Sequence, residues 1–332
     1  MQYQAQRGGV SRPAAQRGVG VSVAGVGEFG LIDRVTARLS YGATVLLGPG
    51  DDAALVAAPD ARVVATTDVL VEGRHFRRDW SGAHDIGRRA AAANLADVAA
   101  MGAEPTALLV ALCVPADVDT DWMEALADGI GAEAAGVGAS VVGGDMSASP
   151  TLTIAVTALG DLGGRSPVTR AGARPGDLLA LAGRTGHAAA GFTVLSRGFR
   201  TPRLLVEAYR RPEVPYSAGP QAARLGATAM IDVSDGLLAD LGHVAKASGV
   251  AVDIARDAFE VPSPMRDAAQ ALGVDPYAWL LAGGDDHALA ATFPPATALP
   301  PGWRQIGRVA EGSGVTVDGR PFDGPPGWDH FR

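Results

Sequence analysis

The chain has a single lysine, a single cysteine and few aromatic residues, and each scarcity removes a class of function. Lys246 lies in a helical stretch, not in the Gly-x-x-x-x-Gly-Lys-Ser/Thr loop that a Walker-type nucleotide site requires, so that site is excluded. Cys113 has no cysteine partner, which rules out an intrachain disulfide and a cysteine-based zinc site. It falls in the apolar run from Ala107 to Val114 and reads as an inert buried thiol. No apolar run approaches the roughly 20 residues of a membrane-spanning helix. Residues 1–20 are polar, rich in Arg and Gln, and lack the apolar core of a secretory signal. The expectation is a soluble, cytoplasmic protein with a disordered N-terminal extension over residues 1–25.

What the chain does have is small apolar residues. Apolar types make up 47% of the 332 residues and aromatics only 5%, so Ala, Val, Leu and Gly must build the core. The formal net charge of −8, with no basic stripe, argues against a nucleic-acid surface. It does not argue against a small anionic substrate, because bound Mg²⁺ can supply a positive field locally.

Strand-like and helix-like segments alternate along the whole length. Val45–Leu47, Arg62–Thr66, Leu108–Val114, Leu152–Thr157, Leu178–Ala182 and Ala229–Ile231 read as strands. Residues 84–101, 121–136, 187–197, 203–211, 217–226 and 237–247 read as helices. The pattern predicts an α/β protein with mixed sheets, each covered by helices on at least one face. A glycine-rich break at Gly160–Arg165 places a boundary between an N-terminal domain, 26–162, and a C-terminal domain, 163–332.

Five aspartate-bearing segments stand where strands run out or on an alanine-rich helix. Gly50-Asp51-Asp52 follows a strand; a hairpin turn would use the same residues, but adjacent carboxylates repel and favour a cation. Thr66-Thr67-Asp68 closes the next strand, either as a hydroxyl or Asx turn or as a set of oxygen ligands. On the helix of residues 84–101, Ile86, Ala90, Ala93, Asp97 and Met101 recur at three- and four-residue steps and define the packed face. Asp97 is therefore aimed inward with Asn94 beside it, and a buried carboxylate needs a cation or donors; Arg88 or Arg89 could supply a salt bridge instead. Gly143-Gly144-Asp145 ends another strand, as a plain turn or as a close backbone approach to phosphate. Asp232-Val233-Ser234-Asp235-Gly236 joins a strand to a helix, where Ser234 or Asp235 could N-cap the helix and its N-terminus could take an anion. Gly283-Gly284-Asp285-Asp286-His287 follows an apolar run; His287 by itself reads as structural. Hard divalent cations want oxygen ligands, and Mg²⁺ usually bridges a few carboxylates to phosphates. Together the five segments point to metal-dependent phosphoryl transfer.

In order and spacing these segments resemble those of thiamine-monophosphate kinases. Gly27-Glu28-Phe29, Gly50-Asp51-Asp52-Ala53-Ala54, the run from Thr66 to Phe76, the run from Asn94 to Ala103, Gly143-Gly144-Asp145, Ile231 to Leu237 and Gly327-Trp328-Asp329-His330-Phe331 carry the likeness, across roughly residues 26–332. The resemblance implies a two-domain aminoimidazole-ribonucleotide synthetase-like fold, dimeric through the N-terminal sheets. It also implies ATP-dependent conversion of thiamine monophosphate to thiamine diphosphate with several Mg²⁺ ions. By similarity Asp52, Thr66, Thr67, Asp68, Asp97, Asp145, Asp232 and Asp235 look like magnesium ligands, with Asp97, Asp145 and Asp232 central to catalysis. Asp52, Gly144, Asp145, Arg170 and Ser234 look like ATP contacts, and His75, Asp285 and Trp328 like substrate contacts. Where the family usually shows Gly-Gly-Glu-Asp-Tyr, this chain has Gly283-Gly284-Asp285-Asp286-His287, one methylene shorter at the substrate carboxylate. A nucleotide-side tyrosine is replaced near Asp128, which leaves no residue assigned to stack on the base. Two other readings stay open: a related synthetase phosphorylating an amide or carbonyl oxygen, and a metal-dependent nucleotide-binding protein without turnover.

Overall fold

The computed structural model describes residues 22–48 and 53–328, apart from the side chains of residues 24 and 26–29. Asp51 and Asp52, the Glu28 and Phe29 side chains, and Asp329, His330 and Phe331 thus lie outside the described residues.

The first half runs α1 (Val23–Thr36), β1 (Val45–Leu47), β2 (Leu55–Val56), β3 (Val64–Val71), α2 (Ala83–Ala100), β4 (Glu104–Val114), α3 (Thr120–Gly136), β5 (Ser140–Ala148) and β6 (Thr153–Asp161). Four of these strands form a sheet in the order β3-β6-β4-β5, antiparallel except for the parallel β4–β5 pair. Along β6, Ile154, Val156 and Ala158 are wholly buried and the residues between them are not. That period of two marks a sheet covered on one face. The cover is α2 and α3, which bring Ile86, Ala90 and Leu95, and Met123, Leu126 and Ile130, onto the sheet. Alanine combines the highest helix propensity with the smallest apolar side chain, so α2 can be buried along most of its length.

The second half runs β7 (Leu178–Ala182), α4 (His187–Ser196), α5 (Arg203–Arg210), α6 (Ala218–Arg224), β8 (Ala229–Val233), α7 (Leu237–Ser248), β9 (Ala251–Ile254), α8 (Ser263–Leu272), α9 (Pro276–Ala282), β10 (Ala288–Phe293), β11 (Trp303–Ala310) and β12 (Gly314–Val317). Its sheet has the order β12-β9-β11-β7-β10-β8, with only β12 and β9 parallel. Leu179, Leu181, Ile231 and Val233 face a core shared with Val194, Leu205, Leu241 and Leu280 from the helices. Ala180, Ala182, Met230 and Leu289 face the other way, against Ala222 of α6 and against Ala99 and Ala100 of α2. Helix α2 therefore packs on both sheets, and residues along it can meet groups from either half.

The mixed α/β architecture is the one the alternating pattern predicts. Among the described residues no helix is long and apolar enough to cross a membrane. Four local readings need correction. Helix α1 starts at Val23, inside the stretch 1–25 expected to be disordered, because the Val23 N–H bonds to Val118 O (2.9 Å) and Leu31 is fully buried. Cys113 is half-buried rather than buried. Strand β3 continues past Asp68 to Val71, since its ladder with β6 runs on to Thr153. Strand β5 likewise continues through Gly143-Gly144-Asp145 to Ala148, so these residues are mid-strand and not a turn. Glycine at 144 serves the sheet: a Cβ there would lie 1.9 Å from Val110 O on the neighbouring strand.

Candidate active site

A cavity of about 1270 Å³ opens between α2, the end of β8, the Gly283–His287 loop, α4 and the C-terminal segment. Arg89, Ala93 and Asp97 line it from α2 at four-residue steps, one stripe of the helix. Thr66 donates its hydroxyl hydrogen to Asp97 Oδ2 (2.8 Å). Burial, and then the negative fields of Asp232 and Asp68, push the Asp97 carboxyl up to about 7. The salt-bridge explanation for Asp97 fails. Arg88 is paired with Glu133 (2.6 Å) and Arg89 with Asp285 (2.9 Å).

Asp232 sits buried on β8, one residue before its end. His287, read from sequence as structural, is a buried cavity-lining neighbour of it, with Nδ1 3.3 Å from Asp232 Oδ2. Burial pulls the His287 ring down, but the hydrogen bond and charge of Asp232 outweigh it and hold the ring above the ordinary imidazole value. His75 also lines the cavity; its Nδ1 accepts from the Val71 N–H (2.9 Å), so the neutral ring carries its proton on Nε2.

The expected ligand set divides between the two faces of the first sheet. Successive strand residues point to opposite faces. Thr66 and Asp68 lie on the side facing α2. Thr67 lies on the outer face, where it donates to Val156 O (3.0 Å) and accepts from Thr157 (3.0 Å). Register puts Asp145 on that outer face as well, in a row with Ala111, Ala155 and Val69. Gly144 and Asp145 border a second, apolar cavity of about 740 Å³, walled by Leu39, Met123, Leu126 and Ile130. Arg170, Ser234, Asp235, Asp285 and Trp328 stand with Asp97 on the large cavity.

Helix α7 is not capped by Ser234 or Asp235. Its N-cap is Gly236, and Asp240 from inside the helix accepts from the N–H groups of Asp235 and Gly236 (3.1 Å each). The Ala239 N–H is taken by Pro326 O (3.1 Å), so the helix start serves the fold before any anion. Two residues of the adjoining loop, Asp285 and His287, have positive φ (69° and 51°), a region that L-residues rarely occupy. Such conformations persist where the surroundings over-determine them, and functional sites are where they gather.

Under the loop, the fully buried Asp286 accepts from the Ala188 N–H at the start of α4 (3.1 and 3.2 Å). Burial still pushes its carboxyl up to about 7. A carboxyl raised in the fold contributes stability that is complete at acid pH and is lost as pH rises through about 7. Asp286→Asn should therefore flatten the pH dependence of the unfolding midpoint between pH 4 and 8, on the order of the ordinary and raised values. Parallel wild-type and variant curves in that range would contradict this.

Among the described residues no three His, Cys, Asp or Glu side chains stand close enough to form a closed metal cage. The donor set nevertheless fits Mg²⁺, which is held by one or two carboxylates together with substrate phosphates. The mutual repulsion felt at Asp97 is what a divalent cation would relieve. Of the residues that carry this geometry, the sequence points to Arg89 only as a possible partner of Asp97 and to His287 only as structural, and does not point to Asp240. The stripe shared by Arg89 and Asp97 on α2 is the signal that could have flagged Arg89.

Residues 50–162 match the family described as AIR synthase related protein, N-terminal domain. A thiamine-monophosphate kinase of Mycobacterium tuberculosis is 48% identical over 308 residues, covering 92% of each chain. The crystal structure of thiamine-monophosphate kinase from Stenotrophomonas maltophilia K279a matches with a TM-score of 0.76 at 36% identity, covering 88% of this chain and 97% of that one. AaThiL complexed with AMPPCP and TMP matches with a TM-score of 0.77 at 33% identity, covering 92% and 97%.

Proposed function

Since the chain belongs to the thiamine-monophosphate kinase family, we propose that it transfers the terminal phosphoryl group of ATP to thiamine monophosphate, giving thiamine diphosphate. One observation carries the reading: a single cavity joins Asp97 and the carboxylates that repel it, Asp232 and Asp68, to a separate carboxylate, Asp285, with His75 and Trp328 also lining it. The first group suits phosphates and their cations, the second an organic cation with hydrogen-bond donors.

The acceptor is a phosphate oxygen that is already ionised at neutral pH, so no strong general base is needed. Catalysis then rests on positioning and charge neutralisation during direct in-line transfer. Asp97 and Asp232 are the proposed catalytic carboxylates on the large cavity, with Thr66, Asp68 and Asp235 as further proposed magnesium ligands. Asp145, as a third catalytic carboxylate and ligand, and Thr67 and Asp52, as ligands, are proposed on the family resemblance alone, since Asp145 and Thr67 face the other side of the first sheet. Bound Mg²⁺ would neutralise phosphate oxygens that the protein's net negative charge otherwise repels. Arg170 and Ser234 on the large cavity, and Gly144 and Asp145 with Asp52, are the proposed ATP contacts. His75, Asp285 and Trp328 are the proposed substrate contacts; a cation–π contact of Trp328 with the thiazolium ring would contribute about 0.5–2 kcal/mol. The site would be shared between domains 26–162 and 163–332 of a cytoplasmic enzyme. Exposed Val69 and Leu109 on the outer face of the first sheet support a homodimer formed there.

Purified protein incubated with ATP, Mg²⁺ and thiamine monophosphate should yield thiamine diphosphate, resolved by chromatography. ATP turnover without that product would favour a related synthetase, and no turnover a binding protein; either result overturns the reading.

A further inference from the structure

Arg89 is the one arginine of α2 that the fold buries beside the cavity. Its side chain is only 9% exposed, against 37% for the adjacent Arg88, which pairs with Glu133 elsewhere on the helix surface. Burying a guanidinium is costly unless each edge is paired. Here NH1 donates to Tyr209 O (2.7 Å), NH2 meets Asp285 Oδ2 (2.9 Å), and Cζ lies 4.5 Å from the centre of the Tyr209 ring. The planar fork thus ties α2 to α5 and to the loop before β10 in one step, which a point charge could not do.

Asp285 is the less secure member of the pair. Half of its side chain (51%) stays open to the cavity, and its backbone is held at φ 69° by the bond from its N–H to Ser234 O (2.9 Å). An exposed carboxylate on a short side chain would otherwise sample several rotamers. We propose that Arg89 is the positioning residue for Asp285 and so sets how tightly the end of thiamine monophosphate remote from its phosphate is held. The inference rests on the function proposed above. Arg89 and Asp97 are eight residues apart on one stripe of α2, roughly 12 Å along the axis at 1.5 Å per residue. The same helix would therefore fix both ends of the substrate site: Asp97 at the phosphates, and Arg89, through Asp285, at the ring.

A residue that merely joined the two halves would lower stability and all kinetic constants together. Positioning predicts a split. In Arg89→Gln the KM for thiamine monophosphate should rise by about tenfold or more, the scale of a lost charge-assisted pair, with the KM for ATP and kcat within about twofold of wild type. Asp285→Asn should raise the same constant, and the double variant should be no worse than the weaker single one, because both remove one interaction. Arg89→Lys keeps the charge but not the fork and should show a smaller rise in that constant; it stands in if Arg89→Gln does not fold. An unchanged KM for thiamine monophosphate in these variants, an equal loss in the ATP constant, or multiplying losses in the double variant would overturn the proposal alone. A wild-type protein that makes no thiamine diphosphate would remove its premise as well.

Discussion

Asp97→Asn is expected to lower kcat for thiamine diphosphate formation by about 10²–10³, the scale seen when one transition-state charge stabiliser is removed, without loss of thermal stability. The two halves of that expectation have one cause. The Asp97 carboxyl is pushed up to about 7 by burial and by Asp232 and Asp68, so an ionised group there works against the fold. Its contribution to stability is complete well below pH 7 and is lost as pH rises through that value. Asparagine has nearly the same shape, carries no charge, and keeps an oxygen to accept the Thr66 hydroxyl. At pH 8 the variant should therefore unfold at the wild-type temperature or above it. What it loses is the anionic oxygen that a divalent cation and the phosphates would use. Steady-state rates with thermal unfolding at pH 8 decide the matter: near-wild-type turnover would remove Asp97 from the catalytic group, and a matching fall in stability would make its role structural.

Asp97 stands out in the sequence as a carboxylate on an alanine-rich helix, but the face predicted for it needs correction. Helix α2 is buried nearly all round, and Ala93 and Asp97 are half-buried positions that face the cavity, not part of a packed stripe with Ile86 and Ala90. Other parts of the site were not legible, for reasons that differ. Thr66-Thr67-Asp68 looks like one set of ligands in sequence, but the strand continues, and its period of two sends Thr67 to the outer face. Reading β3 on through Leu70 and Val71 would have exposed that division. Gly143-Gly144 looks like a turn because glycine weakens strands. The cause of Gly144 is the Val110 carbonyl of another strand, which no local pattern contains. Arg89 and His287 acquire their meaning only from Asp285 and Asp232, which the chain delivers from distant segments. The layers of the fold could be read from runs and periods; the pairings across the cavity could not.

Gly284→Ala should be strongly damaging although the residue has no side chain in the site. A Cβ at that position would lie 2.1 Å from Ser234 O, 3.0 Å from the Ser234 carbonyl carbon and 3.1 Å from that of Asp235. All three are backbone atoms, so no side chain can turn aside to make room. The loop and the Ser234–Asp235 link must separate, and the bond from the Asp285 N–H to Ser234 O (2.9 Å) lengthens or breaks. Asp235 O also accepts the Trp328 N–H (2.9 Å), so the C-terminal segment moves with it. Overpacking of this kind costs about 1–3 kcal/mol. For a chain of this size that lowers the unfolding midpoint by roughly 2–10 °C. The catalytic effect should be larger than the thermal one. Asp285, Ser234 and Trp328 would all shift, and a displacement of about 1 Å can cost a hundredfold in rate. A drop of about a hundredfold in kcat/KM for thiamine monophosphate is expected, alongside a modest fall in midpoint. Gly242→Ala is the control: on α7 a Cβ meets nothing within 4 Å, and activity should not change. If Gly284→Ala matched that control in both readouts, the loop would be free to give way, and the close packing of Gly284 on Ser234 could not be what holds Asp285 at its unusual φ of 69°.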